Sequence, residues 1–237
     1  MGDPSDKPKY DRIRTRHYFA GGHIRAARLM ASHCQESERL AVEAHQGGRP
    51  TIDYDVQSYA VCAIVESGAF VEARLNEIWL AAREPNRALT TSRLAGLDDD
   101  QIDAIRDLAG RKDSERKNVV SKLSDTLACV DKGSIDKELS PGRDVWGLTQ
   151  LRNALVHFKP ELQWDNEVHT LEEMLIGLVP GNPLMQKAKP WFPHQVLCAG
   201  VALWACEKST ELILDWEKAL GLTSSYSTEH AMIIVEG

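Results

Sequence analysis

The stretch RNALVHFKP, residues 152–160, places three polar side chains within an apolar helical pattern. Asn153 follows Arg152 directly, and His157 comes five positions after the arginine. The arginine guanidinium carries a permanent charge and presents its donors in a fork that fits phosphate. Histidine can take up and release a proton near neutral pH. The stretch therefore indicates binding or chemistry at a phosphodiester, with no metal ion or cofactor required.

The residues around this stretch predict one helix from about 144 to 158. Ser140 and Pro141 supply an N-cap and a first-turn proline, and Pro160 ends the helix. On a wheel of about 100° per residue, Arg152 falls inside the apolar arc, while Asn153 and His157 lie just beyond its edge. The arc that we expect to face the core contains Val145, Leu148, Leu151, Leu155, Val156 and Phe158.

A guanidinium on an apolar helix face is unfavourable unless it is paired or lines a cavity. A second apolar helix is predicted at about 57–83, and Glu72 falls in the middle of its apolar face. We predict that Glu72 meets Arg152 across this helix pair, neutralises it and aims the guanidinium. Two alternatives remain at this point: Glu72 extends into solvent, or Arg152 is a structural residue tied to a buried carboxylate, with His157 a half-exposed residue at the helix end.

Composition restricts the class of protein. The chain has 237 residues, of which 43% are hydrophobic and 27% are charged, and its net charge is −7. This charge argues against non-specific coating of nucleic acid but leaves room for a small basic site. The sequence contains no apolar stretch of membrane-spanning length and no secretory signal, so we expect a cytoplasmic protein without membrane contact. The five cysteines lack zinc-ligand spacing and are expected to be reduced thiols in the core.

The remaining pattern predicts an all-α protein, since no period-2 strand series is present. We expect a mobile arm at 1–16, one helical domain at 17–222 and a tail at 223–237 with a short strand near 231–235. Asp55 is expected to cap the second helix, and Asp98 is expected to form a capping box with Gln101. The helices are predicted at about 23–46, 55–83, 98–110, 113–130, 144–158, 168–177 and 193–221.

A helical bundle with arginine, a polar residue, three further residues and histidine near the end of a late core helix resembles the HEPN superfamily. The motif covers residues 152–157, and the helix order that supports it covers about 55–220. The longer string RNALVHFKPE, with Trp191-Phe192-Pro193 and the ALWA string at 202–205, is similar to a group of uncharacterised bacterial HEPN-like proteins.

This resemblance implies a metal-independent endoribonuclease, often a toxin or antiviral effector, that acts as a homodimer with a shared cleft. RNA is then the substrate, and an antitoxin or regulatory protein is a possible partner. By the same resemblance, His157 is the general acid or base, Arg152 holds the phosphate, Asn153 orients the histidine or contacts the phosphate, and Glu72 supports them. A toxin subgroup has a tyrosine two positions after the histidine, where this chain has Lys159.

Two rival classes stay open on the sequence. One is a catalytically inactive dimerisation or adaptor module, and the other is a nucleotide-binding domain whose arginine holds a phosphate. A solvent-accessible His157 that faces a second copy across a positive cleft favours the enzyme, whereas a buried His157 bonded to a backbone carbonyl favours the adaptor. Two further histidines, His169 and His194, are expected to be plain surface residues of a loop.

Overall fold

The computed structural model describes residues 18–45, 50–85, 93–159, 168–186 and 190–223. Within these ranges the protein is all-α, as predicted, and has no strand. The arm at 1–16 and the strand predicted near 231–235 lie outside the described residues. In the part that is described, no helix is both long and apolar enough to cross a membrane. The described residues form seven α-helices: α1 (Ala20–Ala44), α2 (Tyr54–Ala82), α3 (Asp99–Ala109), α4 (Val119–Ala128), α5 (Gly142–Val156), α6 (Thr170–Leu175) and α7 (Ala199–Leu220).

Helix α2 lies at the centre of the bundle, in contact with α1, α3, α4, α5 and α7. Its apolar residues are buried on more than one side, and Phe70 and Ile78 are fully enclosed. The cap predicted at Asp55 is wrong. The N-cap is Asp53, whose carboxylate accepts the backbone N–H groups of Asp55 and Val56 at 3.0 Å. Two amides at the start of α2 are satisfied in this way.

Helix α7 begins at Ala199, and the start predicted at Pro193 is therefore wrong. The backbone of Cys198 is extended, with φ −149° and ψ 166°, so the helix cannot begin before it. The N–H of Ala199 then donates to the Glu38 carboxylate of α1 at 2.9 Å. The other end agrees with the prediction, because Gly221 closes α7 with φ 85°, a conformation that glycine adopts without strain.

The segment from Asp98 to Val130 follows the predicted capping in part. Asp98 and Gln101 form the expected capping box at the start of α3. The single helix predicted at 113–130 is wrong, because the chain forms a short 3₁₀ helix, Ser114–Arg116, and then α4. Asn118 separates the two, since its side chain accepts the N–H of Ser121 at 2.9 Å and caps α4.

Helix α5 packs against α2, α4, α6 and α7. Its residues Val145, Leu148 and Leu151 are buried, as predicted. The prediction for the end of the helix is wrong, because Val156 is 49% exposed and Phe158 is 53% exposed. Helix α5 ends at Val156 rather than at 158. Phe158 therefore lies outside the helix, and the helical wheel that placed it toward the core does not apply to it.

A buried ion network connects α2 to α7 and to the start of α1. The Arg74 side chain has no solvent exposure, and its Nε donates to the Glu217 carboxylate at 2.5 Å. Its Nη1 donates to Glu77 at 3.2 Å, and Glu77 also accepts the N–H of Ala20 at 2.9 Å. Arg93 lies 3.4 Å from the same Glu77 carboxylate. The network therefore holds four separate parts of the chain together.

The five cysteines are free thiols with different accessibility, and only Cys62 among them is exposed. Burial raises the pKa of Cys34 to about 12 and that of Cys198 to about 11. Because the thiolate is the nucleophile, iodoacetamide at neutral pH is expected to alkylate Cys62 well before these two. Mass spectrometry of the native protein over a time course measures the order. Equal labelling rates at Cys34 and Cys62 would contradict the burial of Cys34.

Candidate functional site

The Arg152 side chain crosses α2 at a glycine. A Cβ added to Gly68 would lie 3.4 Å from Arg152 Cγ and 3.7 Å from its Cβ. The arginine stem therefore lies against the α2 backbone at a position where a side chain larger than a methyl group would displace it. The stem packs between the two helices while the guanidinium reaches the edge of the α2–α5 contact, with 25% of the side chain exposed.

The Arg152 guanidinium is only partly engaged by the described residues. Its Nη1 donates to the side-chain oxygen of Asn153 at 3.0 Å, and its Nη2 lies 3.8 Å from a carboxylate oxygen of Glu72. Its Nε is buried and has no hydrogen-bond partner among those residues. A guanidinium has five N–H donors, so donors on Nη1 and Nη2 remain for a further acceptor such as a phosphate oxygen.

Glu72 lies near Arg152, but the hydrogen-bonded pairing that we predicted between them is not formed. At 3.8 Å they form an ion pair that is too long for a hydrogen bond. The Glu72 side chain is 47% exposed, which corrects its placement in the middle of the apolar face. An ion pair this exposed contributes about 0–1 kcal/mol. Glu72 therefore balances charge near Arg152, while the hydrogen bond that orients the guanidinium comes from Asn153.

His157 is exposed and follows the last residue of α5. Its backbone N–H donates to the carbonyl of Asn153 at 2.9 Å and makes the final hydrogen bond of the helix. The end of α5 and the residue that follows it therefore carry Arg152, Asn153 and His157. The Asn153 side-chain oxygen contacts Arg152, so in this geometry Asn153 orients the arginine.

Two of the helical arginines, Arg74 and Arg152, have opposite environments. Arg74 is fully buried and bonded to Glu217 and Glu77, which is the arrangement expected of a structural arginine. Arg152 has one side-chain hydrogen bond and one long ion pair to a half-exposed glutamate. The structural interpretation of Arg152, which requires a buried carboxylate, thus describes Arg74 better than Arg152.

An aromatic group beside the end of α5 was not predicted. Phe158 follows His157 directly, and its ring lies 6.2 Å from that of Phe192. The Phe192 ring stacks on His169 at 4.9 Å. His169 is therefore not the plain surface residue expected, because it also caps α6 by accepting the N–H of Leu171 at 3.0 Å. We call Phe158, His169 and Phe192 the aromatic ledge.

Other features of the described surface do not compete with this site. No group of three or more His, Cys, Asp or Glu residues suited to a metal ion occurs among the described residues. A groove of about 580 Å³ runs along α1 and is lined in part by Glu36, Arg39 and Glu43. Arg39 binds both of these glutamates at 2.7 Å, so the one basic residue of the lining is already engaged, and Glu38 adds a third acidic residue.

Replacing Gly68 with alanine tests how closely the arginine stem fits. The new Cβ would make an ordinary contact at 3.4 Å, and alanine favours a helix over glycine by about 1 kcal/mol. We therefore expect Gly68→Ala to unfold in urea with equal or slightly higher stability, whereas Gly68→Leu displaces the Arg152 stem and lowers stability. A loss of more than about 1 kcal/mol in Gly68→Ala would contradict the packing.

Comparison of the chain with protein-family models, with curated proteins and with solved structures finds no match. The geometry defines an all-α protein with an arginine and an exposed histidine at one helix end.

Proposed function

We propose that this protein is a metal-independent endoribonuclease of the HEPN type, with Arg152, Asn153 and His157 as its active site. The observation that carries the proposal is the pairing of a partly engaged guanidinium with an exposed histidine at the end of α5. The guanidinium has donors left for a phosphate, and the histidine is open to solvent and substrate. Both residues also match the family motif in spacing.

The residue chemistry fits cleavage by internal transesterification. The ribose 2′-oxygen attacks the adjacent phosphorus, the P–O5′ bond breaks, and a 2′,3′-cyclic phosphate and a 5′-hydroxyl result. His157 removes the proton from the 2′-hydroxyl or returns one to the leaving oxygen. Arg152 binds the phosphate and stabilises the negative charge that develops on it, and Asn153 holds the guanidinium in place. A homodimer with a shared cleft would supply a second His157 for the other proton transfer.

The biological setting that we propose follows from the same resemblance. RNA is the substrate, the activity is cytoplasmic, and the role is that of a toxin or antiviral defence effector restrained by an antitoxin or regulatory protein. Lys159 stands where one toxin subgroup has a tyrosine, so control through modification of such a tyrosine is not proposed.

A pair of matched oligonucleotides tests this function. Labelled single-stranded RNA and single-stranded DNA of the same sequence are incubated with the protein in EDTA. We expect cleavage of the RNA alone, because the reaction requires the 2′-hydroxyl. If both oligonucleotides stay intact and circular dichroism shows that the protein is folded, the result favours the alternative of an inactive adaptor or nucleotide-binding module. Cleavage of both would point to a different chemistry.

A further inference from the structure

Phe158 presents an aromatic ring to solvent directly beside the proposed active site. The ring is 53% exposed, whereas Phe192 behind it is only 6% exposed. A half-exposed phenylalanine leaves a large apolar surface in water. Phe158 follows His157 directly in the chain, so its ring extends from the backbone position next to that of the histidine.

The rest of the aromatic ledge supports the ring from behind. Phe158 and Phe192 have their rings tilted by 44° at a centroid distance of 6.2 Å. Phe192 and His169 are stacked within 22° of parallel. The His169 ring is itself fixed by its hydrogen bond to the N–H of Leu171. Phe158 therefore rests on a packed aromatic pair rather than on a mobile side chain, and about half of it is exposed to a ligand.

The charges in the chain segment that carries the ring suit an anionic occupant. Residues 152–159 contain Arg152, His157 and Lys159 and no acidic residue, and both His157 and Lys159 are exposed. Glu72 offsets part of the charge on Arg152. A single RNA strand presents phosphates and unpaired bases in alternation, so its phosphates suit these cations and a base suits the ring. An apolar surface of another protein would match the ring but not the cations.

We propose that Phe158 stacks on an unpaired nucleobase of the RNA strand that binds at the end of α5. This inference rests on the proposed function and deepens it. The bases of duplex RNA are stacked inside the helix, so a side chain cannot reach their faces. Phe158 thereby selects single strands over duplexes through the availability of the base.

Binding to short RNA carrying 2′-O-methyl groups separates stacking from cleavage, because this RNA cannot attack its own phosphate. Fluorescence anisotropy compares wild type with Phe158→Trp, which keeps an aromatic face, and with Phe158→Leu, which keeps only an apolar one. Where a base stacks on an aromatic side chain, removing the aromatic face lowers affinity by about 5- to 100-fold. We expect Phe158→Leu to lose affinity for the single strand by this factor, Phe158→Trp to retain it, and duplex binding to stay unchanged.

The outcomes distinguish this inference from the proposed function. Wild-type affinity in Phe158→Leu overturns the stacking role, and the function stands if unmethylated RNA is still cleaved. Tight binding that depends on Phe158, without any cleavage of unmethylated RNA, supports the stacking role and overturns the endoribonuclease. Absence of binding by wild type overturns the stacking role. Sedimentation velocity completes the test, since a dimer that dissociates in Phe158→Leu with unchanged RNA affinity assigns the ring to contact with a second copy.

Discussion

Replacement of Arg74 by alanine is expected to lower the free energy of unfolding by about 3–5 kcal/mol, the typical result of breaking a buried ion pair. Arg74 is fully buried and donates to both Glu217 and Glu77. Its removal leaves the carboxylates of Glu77 and Glu217, which have little access to solvent, without the cation that they bind. A domain of this kind is stable by about 5–15 kcal/mol in total, so this single change removes a large share.

A graded set of variants keeps this measurement informative. Glu217→Gln retains a hydrogen-bond acceptor for Arg74 and is expected to lose less stability than Arg74→Ala. The matched control is Arg39→Ala, which removes an exposed arginine that also binds two glutamates. Because solvent screens exposed pairs, we expect the midpoint of urea unfolding to change far less in this control. Equal midpoints for Arg74→Ala and Arg39→Ala would contradict the structural role of the buried network.

Replacement of Arg152 or of His157 by alanine is expected to reduce RNA cleavage by about 10²–10⁴-fold, the range typical of lost proton transfer or lost charge stabilisation. Stability should change little, since Arg152 has one side-chain hydrogen bond and a 3.8 Å ion pair. Single-turnover rates measure the first effect and urea unfolding the second. The two residues act in one step, so the double variant is expected to be not much slower than either single variant.

Two controls on the same kinds of residue accompany these variants. Arg143 is an exposed arginine of α5, and His45 is an exposed histidine directly after α1. Alanine at either position should leave cleavage close to that of wild type. If Arg152→Ala instead loses as much stability as Arg74→Ala, Arg152 is a structural residue, and the assignment of the active site is wrong.

The sequence was most informative where structure depends on near neighbours. The capping box of Asp98 and Gln101 and the end of α7 at Gly221 were readable because the residues involved are close in the chain. The start of α7 could not be predicted in this way, since the hydrogen bond from the Ala199 N–H to the Glu38 carboxylate joins residues far apart in sequence. The helical wheel likewise predicted that Glu72 lies near Arg152, but it could not give the length of the contact or the exposure of Glu72.

The features missed entirely depend on residues with no shared sequence pattern. The aromatic ledge combines Phe158, His169 and Phe192, which no periodicity connects. The buried network joins Arg74 and Glu77 to Glu217. One signal was present, because Arg74 and Glu77 are charged residues among the apolar positions of α2, and charges in such places are usually paired. Only the tertiary fold shows which partner each one has.

The most direct test of the account is the chemistry of the RNA ends. Wild-type protein and the Arg152→Ala/His157→Ala double variant are purified identically and incubated with single-stranded RNA, and the products are analysed by mass spectrometry. We predict fragments with 2′,3′-cyclic phosphate ends from the wild type and intact RNA from the double variant. Intact RNA in both reactions, or the same fragments in both, would contradict an endoribonuclease site at Arg152 and His157.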